Sequence, residues 1–239
     1  MSDPRDPIEN WFITSLDTDD AAALRPLLRR VSVTLDQIVV DQGTLVEHVH
    51  FPIDAQFANV IRFPDGSTME TAVVGREGLT GLAPFMADRS SAWEIVCRAS
   101  GEAWAASAAA LRKLAADRPK LMTRLLVLTD LYQAQAAQTA ACNSLHRVPD
   151  RIARWILTAR DLSPHDTLHF RQEELARLIA VRRSTISEAA TQLKRQKLIS
   201  YGRGTIRILD REGLEAAACD CYGMLRPRLA DLGLRDGSS

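Results

Sequence analysis

Between positions 182 and 207 the chain carries side chains suited to reading and gripping a polyanion. Arg183, Ser184, Ser187 and Glu188 fall on the outer edge of a helical repeat whose inner positions, Ile186, Ala190 and Leu193, are apolar. In a major groove such side chains meet base edges: arginine pairs in bidentate fashion with guanine, glutamate accepts from cytosine, and serine is less selective. Arg171, Arg182, Thr185, Lys194, Arg195, Lys197, Arg203 and Arg207 surround them and suit phosphate contacts, which give affinity and register without sequence information. The chemistry expected is noncovalent recognition of double-stranded DNA. A merely solvated charged helix would account for the charge, but not for what flanks it.

A helix pair can present these groups if a small residue lies where the helices cross. The pattern predicts helices from about Gln172 to Ile179 and from Arg183 to Gln196, with Leu175, Ala176 and Ile179 facing inward. Ala180 stands where the turn prefers glycine. LISYGRGTIRILD then predicts a two-stranded hairpin turning at Gly202-Arg203-Gly204. That order is a winged helix-turn-helix. A further helix, RIARWILTAR, precedes it with Ile152, Trp155 and Ile156 on one face, and LSPHDTLHF reads as a linker or turn. Val148-Pro149-Asp150 marks the boundary upstream, because proline disfavours helical geometry in its predecessor.

The boundary closes a long helical segment from about Ala108 to Arg147, with Pro119 in the first turn of its main stretch. Leu121, Leu125, Leu128, Tyr132, Gln135 and Thr139 repeat along it at heptad spacing, which predicts a dimerisation seam; a helix lying against its own β domain is the alternative. From Val31 to Ala106 come the short runs VSVTL, QIVV, HVHF, FANVIRF, METAVV and WEIVC, punctuated by glycine and proline, as in a small antiparallel sandwich or barrel. Short amphipathic helices are expected between Ile8 and Arg30. The fold class expected is α+β: a jelly-roll-like antiparallel β-roll over 1–107, a dimerisation helix over 108–147, the winged helix-turn-helix over 148–223 and a tail over 224–239.

Charge follows this division. The chain has 30 Lys+Arg and 30 Asp+Glu. Residues 1–145 hold 13 basic against 18 acidic groups, residues 146–211 hold 14 against 7, and residues 212–239 hold 3 against 5. A basic block confined to one region is the footprint of one domain meeting polyphosphate while another does not. No apolar run is long enough to span a membrane and the opening is acidic, so the expectation is a cytoplasmic protein. GxSxG, GK[ST], HExxH and CxxC are all absent, so no enzyme is expected. Cys97, Cys142, Cys219 and Cys221 read as buried thiols, with Cys219 and Cys221 lacking partner ligands, and His48 and His50 share a strand face without a third ligand. No metal site is expected.

The stretch QEELARLIAVRRSTISEAATQLKRQKLISYGRGTIRILD resembles the helix-turn-helix and wing of the Crp/Fnr family of bacterial transcription regulators. VTLDQIVVDQGTLVEHVHFP and DGSTMETAVVGREGLTGL resemble that family's cyclic-nucleotide-binding-like β-roll, HRVPDRIARWILTARD its hinge and first DNA-domain helix, and AACDCYG a terminal segment common among relatives. The resemblance covers roughly residues 8 to 223. It implies a homodimer on a palindromic operator, DNA domains that reorient about a hinge at Asn143 to Asp150, and RNA polymerase as a further partner; no membrane partner is expected. It places an effector pocket at Gly78, Gly81, Leu82, Arg89, Ser90 and Ser91.

The chain departs from the family pattern there. Cyclic-nucleotide-binding members follow the glycine with a glutamate for the ribose and place an arginine for the phosphate; here Leu82 follows Gly81, Ser90 stands at the arginine position and Arg89 falls one residue early. Iron–sulfur members carry cysteines near the N-terminus, and this chain has none before Cys97. No cofactor is therefore expected: no cyclic nucleotide, iron–sulfur cluster or haem. The recognition helix also differs. Anaerobic-regulator relatives carry Glu, Ser and Arg where this chain has Ser184, Ser187 and Glu188, and only Arg183 matches the arginine of cyclic-AMP-responsive members.

Overall fold

The computed structural model describes residues 10–163, 167–169, 175–176, 179, 181–202, 204–224 and 226–231. Two short helices, α1 (Trp11–Thr14) and α2 (Thr18–Leu24), open the described chain, each started by a side-chain cap from Asn10 or Asp17. Asn10 is fully buried and also donates to the Pro52 and Gly78 carbonyls at 3.0 and 2.8 Å, which ties α1 to the β domain behind it.

Seven antiparallel strands follow: β1 (Arg29–Val33), β2 (Ile38–Val40), β3 (His48–Pro52), β4 (Gln56–Arg62), β5 (Thr68–Val74), β6 (Glu94–Ala99) and β7 (Gly101–Ser107). They form one sheet in the order β1-β7-β3 and another in the order β2-β6-β4-β5. The β4–β5 hairpin turns at Pro64-Asp65-Gly66, where Gly66 has φ 82 and the Asp65 carboxylate accepts the Ser67 N–H at 2.9 Å. Helix α3 (Leu82–Ala87) bridges β5 and β6. The strand β7 is not among the runs expected from the sequence, yet it is the middle of its sheet. Its Ala-rich run, EAWAAS, has little β propensity, and burial against Phe51 and Val49 of the neighbouring β3 and the surrounding core decides its state.

Helices α4 (Ala108–Ala116) and α5 (Pro119–Leu145) come next, with Pro119 in the first turn of α5. Here the structure departs from expectation. Leu121, Leu125 and Leu128 are each 0% exposed and join Phe12, Phe51, Phe57 and Phe85 in the core of the β domain. Tyr132 packs against that core, and Gln135 and Thr139 line spaces between α5 and the C-terminal domain. The apolar start of the predicted dimer seam, Leu121 to Leu128, is thus covered by the chain's own β domain, whereas Tyr132, Gln135 and Thr139 are half-buried. The exposed face of α5 carries Leu126, Val127, Ala136, Ala137, Ala140 and Ala141.

The C-terminal domain begins with α6 (Val148–Asp161), which holds Pro149 in its first turn. It continues through β8 (Thr167–His169), α7 (Arg183–Arg195), β9 (Ile199–Gly202), β10 (Thr205–Ile208) and α8 (Arg211–Ala217). The strands order as β8-β10-β9, so Thr167–His169, expected in a linker or turn, is a third strand of the wing. Ile152, Ile156, Leu175, Ile179, Ile186, Leu193, Ile199, Ile206 and Leu214 form a second core, which also takes in Val73 from β5. Gln56 of β4 donates to the Ala159 carbonyl at 3.0 Å, joining the two domains. The last described helix, α9 (Arg226–Asp231), falls in the predicted tail and pairs Arg228 with Asp130 of α5. No helix of the described residues is long and apolar enough to cross a membrane.

Candidate nucleic-acid interface

Helix α7 owes its orientation to its inner face. Ile186, Ala189, Ala190 and Leu193 are buried against α6 and the described residues of the preceding segment, Leu175, Ala176 and Ile179. The opposite edge then points outward: Arg183, Ser184 and Glu188 are exposed and Ser187 is half-buried, its hydroxyl donating to the Arg183 carbonyl at 3.3 Å. This local back-bond holds one of the serine's groups on the helix itself.

Around that edge, Arg182, Lys194, Arg195, Lys197 and Arg207 are exposed and Thr185 is half-buried, while Arg171 and Arg203 lie outside the described residues. Helix α7 ends in a Schellman arrangement: the Leu198 N–H reaches the Leu193 carbonyl at 3.1 Å and the Lys197 N–H reaches Lys194 at 3.0 Å. Lys197 occupies the left-handed position, at φ 59, where glycine is usual. The chain reverses there into β9, so the end of α7 and the wing are held side by side. Lys194 Nζ, 3.4 Å from the Tyr201 carbonyl, spans the two.

The expected effector region divides differently. Between the β domain and α5 lies a cavity of about 300 Å³, lined by Asn59, Thr71, Ala72, Val74, Leu79, Gly81, Leu82, Ala83, Trp93, Thr129, Tyr132, Gln133 and Ala136. Gly81 and Leu82 face it. Gly78 instead sits under Tyr132, whose hydroxyl would lie 2.1 Å from any Cβ there, so α5 approaches the backbone closely at that point. Arg89 and Ser90 are exposed and outside the lining, and Ser91 is buried in the loop, its hydroxyl donating to the Trp93 carbonyl at 2.6 Å. No charged side chain lines the cavity among the described residues. On β3, His50 is buried beside Phe57, and burial pushes its imidazole down to about 4, so it is a neutral core group.

The cysteines differ from expectation as well. Cys219 and Cys221 do have partners: with Cys142 and His146 they form one cluster whose four donor atoms lie within 4.8 Å of one another. Spacing along the chain could not show this, because 77 residues separate Cys142 from Cys219.

This arrangement of α6, α7 and a three-stranded wing is a winged helix-turn-helix, a DNA-binding domain. Residues 150–217 match the Crp-like helix-turn-helix domain family. The whole fold is similar to that of FixK2 from Bradyrhizobium japonicum, at 16% identity and a TM-score of 0.70, over 80% of this chain and 98% of that one. It is also similar to CLP, described as the c-di-GMP-responsive global regulator of Xanthomonas campestris, at 17% identity and a TM-score of 0.61, over 80% of this chain and 99% of that one. A third similar structure is a CRP/FNR-family transcriptional regulator from Thermus thermophilus, at 17% identity and a TM-score of 0.61, over 80% of this chain and 98% of that one. No curated protein matches the chain in sequence. Residues 150–217 are thus a Crp-like helix-turn-helix domain, set in a fold similar to that of Crp/Fnr-family regulators.

Proposed function

We propose that the protein is a homodimeric regulator that reads a palindromic operator through α7 and grips phosphates with the flanking basic groups and the wing. The observation that carries this reading is the outward edge of α7, where Arg183, Ser184 and Glu188 stand exposed above a buried inner face. Two copies would place their α7 helices in successive major grooves, about 34–36 Å apart. The exposed α5 face with Leu126 and Val127 is the surface best suited to the second copy, since the opposite face is spent on the β domain. Operator binding would bring the dimer to RNA polymerase. Selection of bound sequences from random duplex DNA tests the reading: an enriched inverted repeat with that spacing is expected, and no enriched palindrome would overturn it.

Within that site the residues should separate by role. Arg183→Ala is expected to cost about 1–3 kcal/mol on the preferred operator and to relax one base position. Lys197→Ala should weaken all sequences alike and reduce the salt slope by about one ion. Titration of both variants against the selected operator and a scrambled duplex checks this; an even loss across sequences for Arg183→Ala would remove it from the base-reading set.

The β-roll cavity supports either a neutral, largely apolar effector that moves the DNA domains about the 143–150 hinge, or no effector, with the β-roll as a dimer scaffold. Both readings leave the phosphate of a cyclic nucleotide without a cationic partner. Cyclic AMP is accordingly expected to leave the melting temperature unchanged at millimolar concentration, whereas a rise of several degrees would show that it binds.

A further inference from the structure

Helix α5 ends one residue before His146, and Cys142 lies one helical turn back, so Cys142 and His146 share a face of that last turn. On the other side, α8 stops at Ala217 and the chain enters a 3-10 turn over Asp220–Tyr222, with Cys219 as its cap and Cys221 within it. The two elements meet. Cys142 Sγ stands 3.5 Å from Cys219 Sγ, and Cys221 Sγ stands 3.4 Å from His146 Nδ1. Cys142 and Cys221 are buried and the other two half-buried.

These separations have a chemical meaning. A tetrahedral zinc ion with Zn–S of about 2.3 Å and Zn–N of about 2.0 Å sets its donor atoms roughly 3.5 to 3.8 Å apart. Three thiolates and one imidazole form a closed structural zinc set, and soft sulfur donors with imidazole disfavour magnesium, calcium and manganese. Bound zinc with three thiolates would carry one net negative charge in a partly buried place. Arg151 and Arg154 meet that need: they are 5% and 8% exposed, and the buried Nε of each has no hydrogen-bond partner among the described residues. Arg151 is anchored by donating to the Asn143 carbonyl at 2.8 Å, beside the cluster. Gln138, one turn before Cys142, donates to Cys221 Sγ at 2.8 Å, the kind of outer contact that orients a thiolate ligand.

We propose that Cys142, His146, Cys219 and Cys221 bind one zinc ion, which clamps the end of the DNA-binding domain to the last turn of α5 beside the 143–150 hinge. The clamp spans the joint about which the DNA domain would turn, so its consequence is a fixed pose of α7 relative to α5. The site itself stands apart from the reading of DNA: metal content is measured without an operator.

Elemental analysis of the full-length protein, purified under reducing conditions and offered zinc, should give one zinc per chain. The Cys142→Ser/Cys219→Ser double variant should give none, and cobalt in place of zinc should show the visible bands of a tetrahedral thiolate complex in the native protein alone. Gln138→Ala should keep one equivalent with about 10- to 100-fold weaker affinity in competition with a chromophoric chelator. His146→Cys, which preserves a four-donor set, should retain zinc where His146→Ala weakens it, so a loss by misfolding is separated from a loss of ligand. Absence of bound metal in the native protein, equal zinc in the folded double variant, or a Cys142–Cys219 disulfide in place of free thiolates would each overturn the proposal.

Discussion

Arg98→Ala is expected to lower stability by about 3–5 kcal/mol, the cost of removing one partner of a buried ion pair. Arg98 of β6 sits 2.8 Å from Glu70 of β5, the two side chains being 5% and 2% exposed, and it also donates to Asp36 at 3.0 Å. With the guanidinium gone, the buried Glu70 carboxylate loses the charge that stands 2.8 Å from it. The consequence reaches further than the pair. Strand β5 supplies Ala72 and Val74 to the cavity wall and Val73 to the core of the DNA-binding domain, so loosening it disturbs both. For a chain of this length the loss corresponds to a melting-temperature drop of roughly 6–20 °C. Adding Glu70→Gln to Arg98→Ala should recover most of it, and an apolar pair, Glu70→Leu with Arg98→Met, should come close to the native protein. A drop of less than about 1 kcal/mol for Arg98→Ala would show that Glu70 is solvated or protonated at neutral pH.

The DNA-reading half was legible because its signals are local. Ile186, Ala190 and Leu193 fall at helical spacing, so Arg183, Ser184 and Glu188 had to face outward, and the structure puts them there. Strand β8 was not legible: Thr167–His169 is three residues long and gains its state only by pairing with β10, a partner 36 or more residues away. The helix α5 shows a different failure. Heptad spacing at Leu121, Leu125 and Leu128 specifies an apolar stripe but not its partner, and two open sheets of the same chain reached it first.

The cysteine cluster was illegible for a topological reason. Each half, Cys142 with His146 and Cys219 with Cys221, is too small to read as a ligand set, and only the tertiary approach of the Asp220–Tyr222 turn to the end of α5 joins them. A cue existed in the helical i, i+4 spacing of Cys142 and His146, paired with a second close cysteine doublet. The cavity was partly legible. Leu82 after Gly81 does leave the wall uncharged, but the inward turn of Tyr132 over Gly78 arises from tertiary packing that no local pattern encodes.

Glu77→Gln is expected to stabilise the protein above neutral pH and to flatten its pH profile. Glu77 is buried between Gly75 and Tyr132, and its carboxylate accepts the Gly75 N–H at 2.9 Å. Burial raises its carboxyl to about 7 from an ordinary 4.5, opposed by its backbone hydrogen bonds, Tyr132 and the charge of Arg76. Arg154 and Asp161 line the adjoining cavity with it. Because the folded protein holds this proton more tightly than the unfolded chain, the folded state binds more protons between pH 4.5 and 7. Stability contributed by the neutral acid is therefore complete below about 4.5 and is lost as pH rises through about 7, with a total of about 3 kcal/mol. Glutamine mimics the neutral acid at every pH, so the variant should match the native protein below about pH 4.5 and exceed it near pH 8 by up to that amount. Denaturant unfolding of both proteins at the two pH values reads this directly, and parallel pH profiles would place Glu77 in a solvated environment. The carboxyl lies where β5 ends and α5 passes, so its ionisation acts at the contact between the β domain and the helix that leads to the DNA-binding domain.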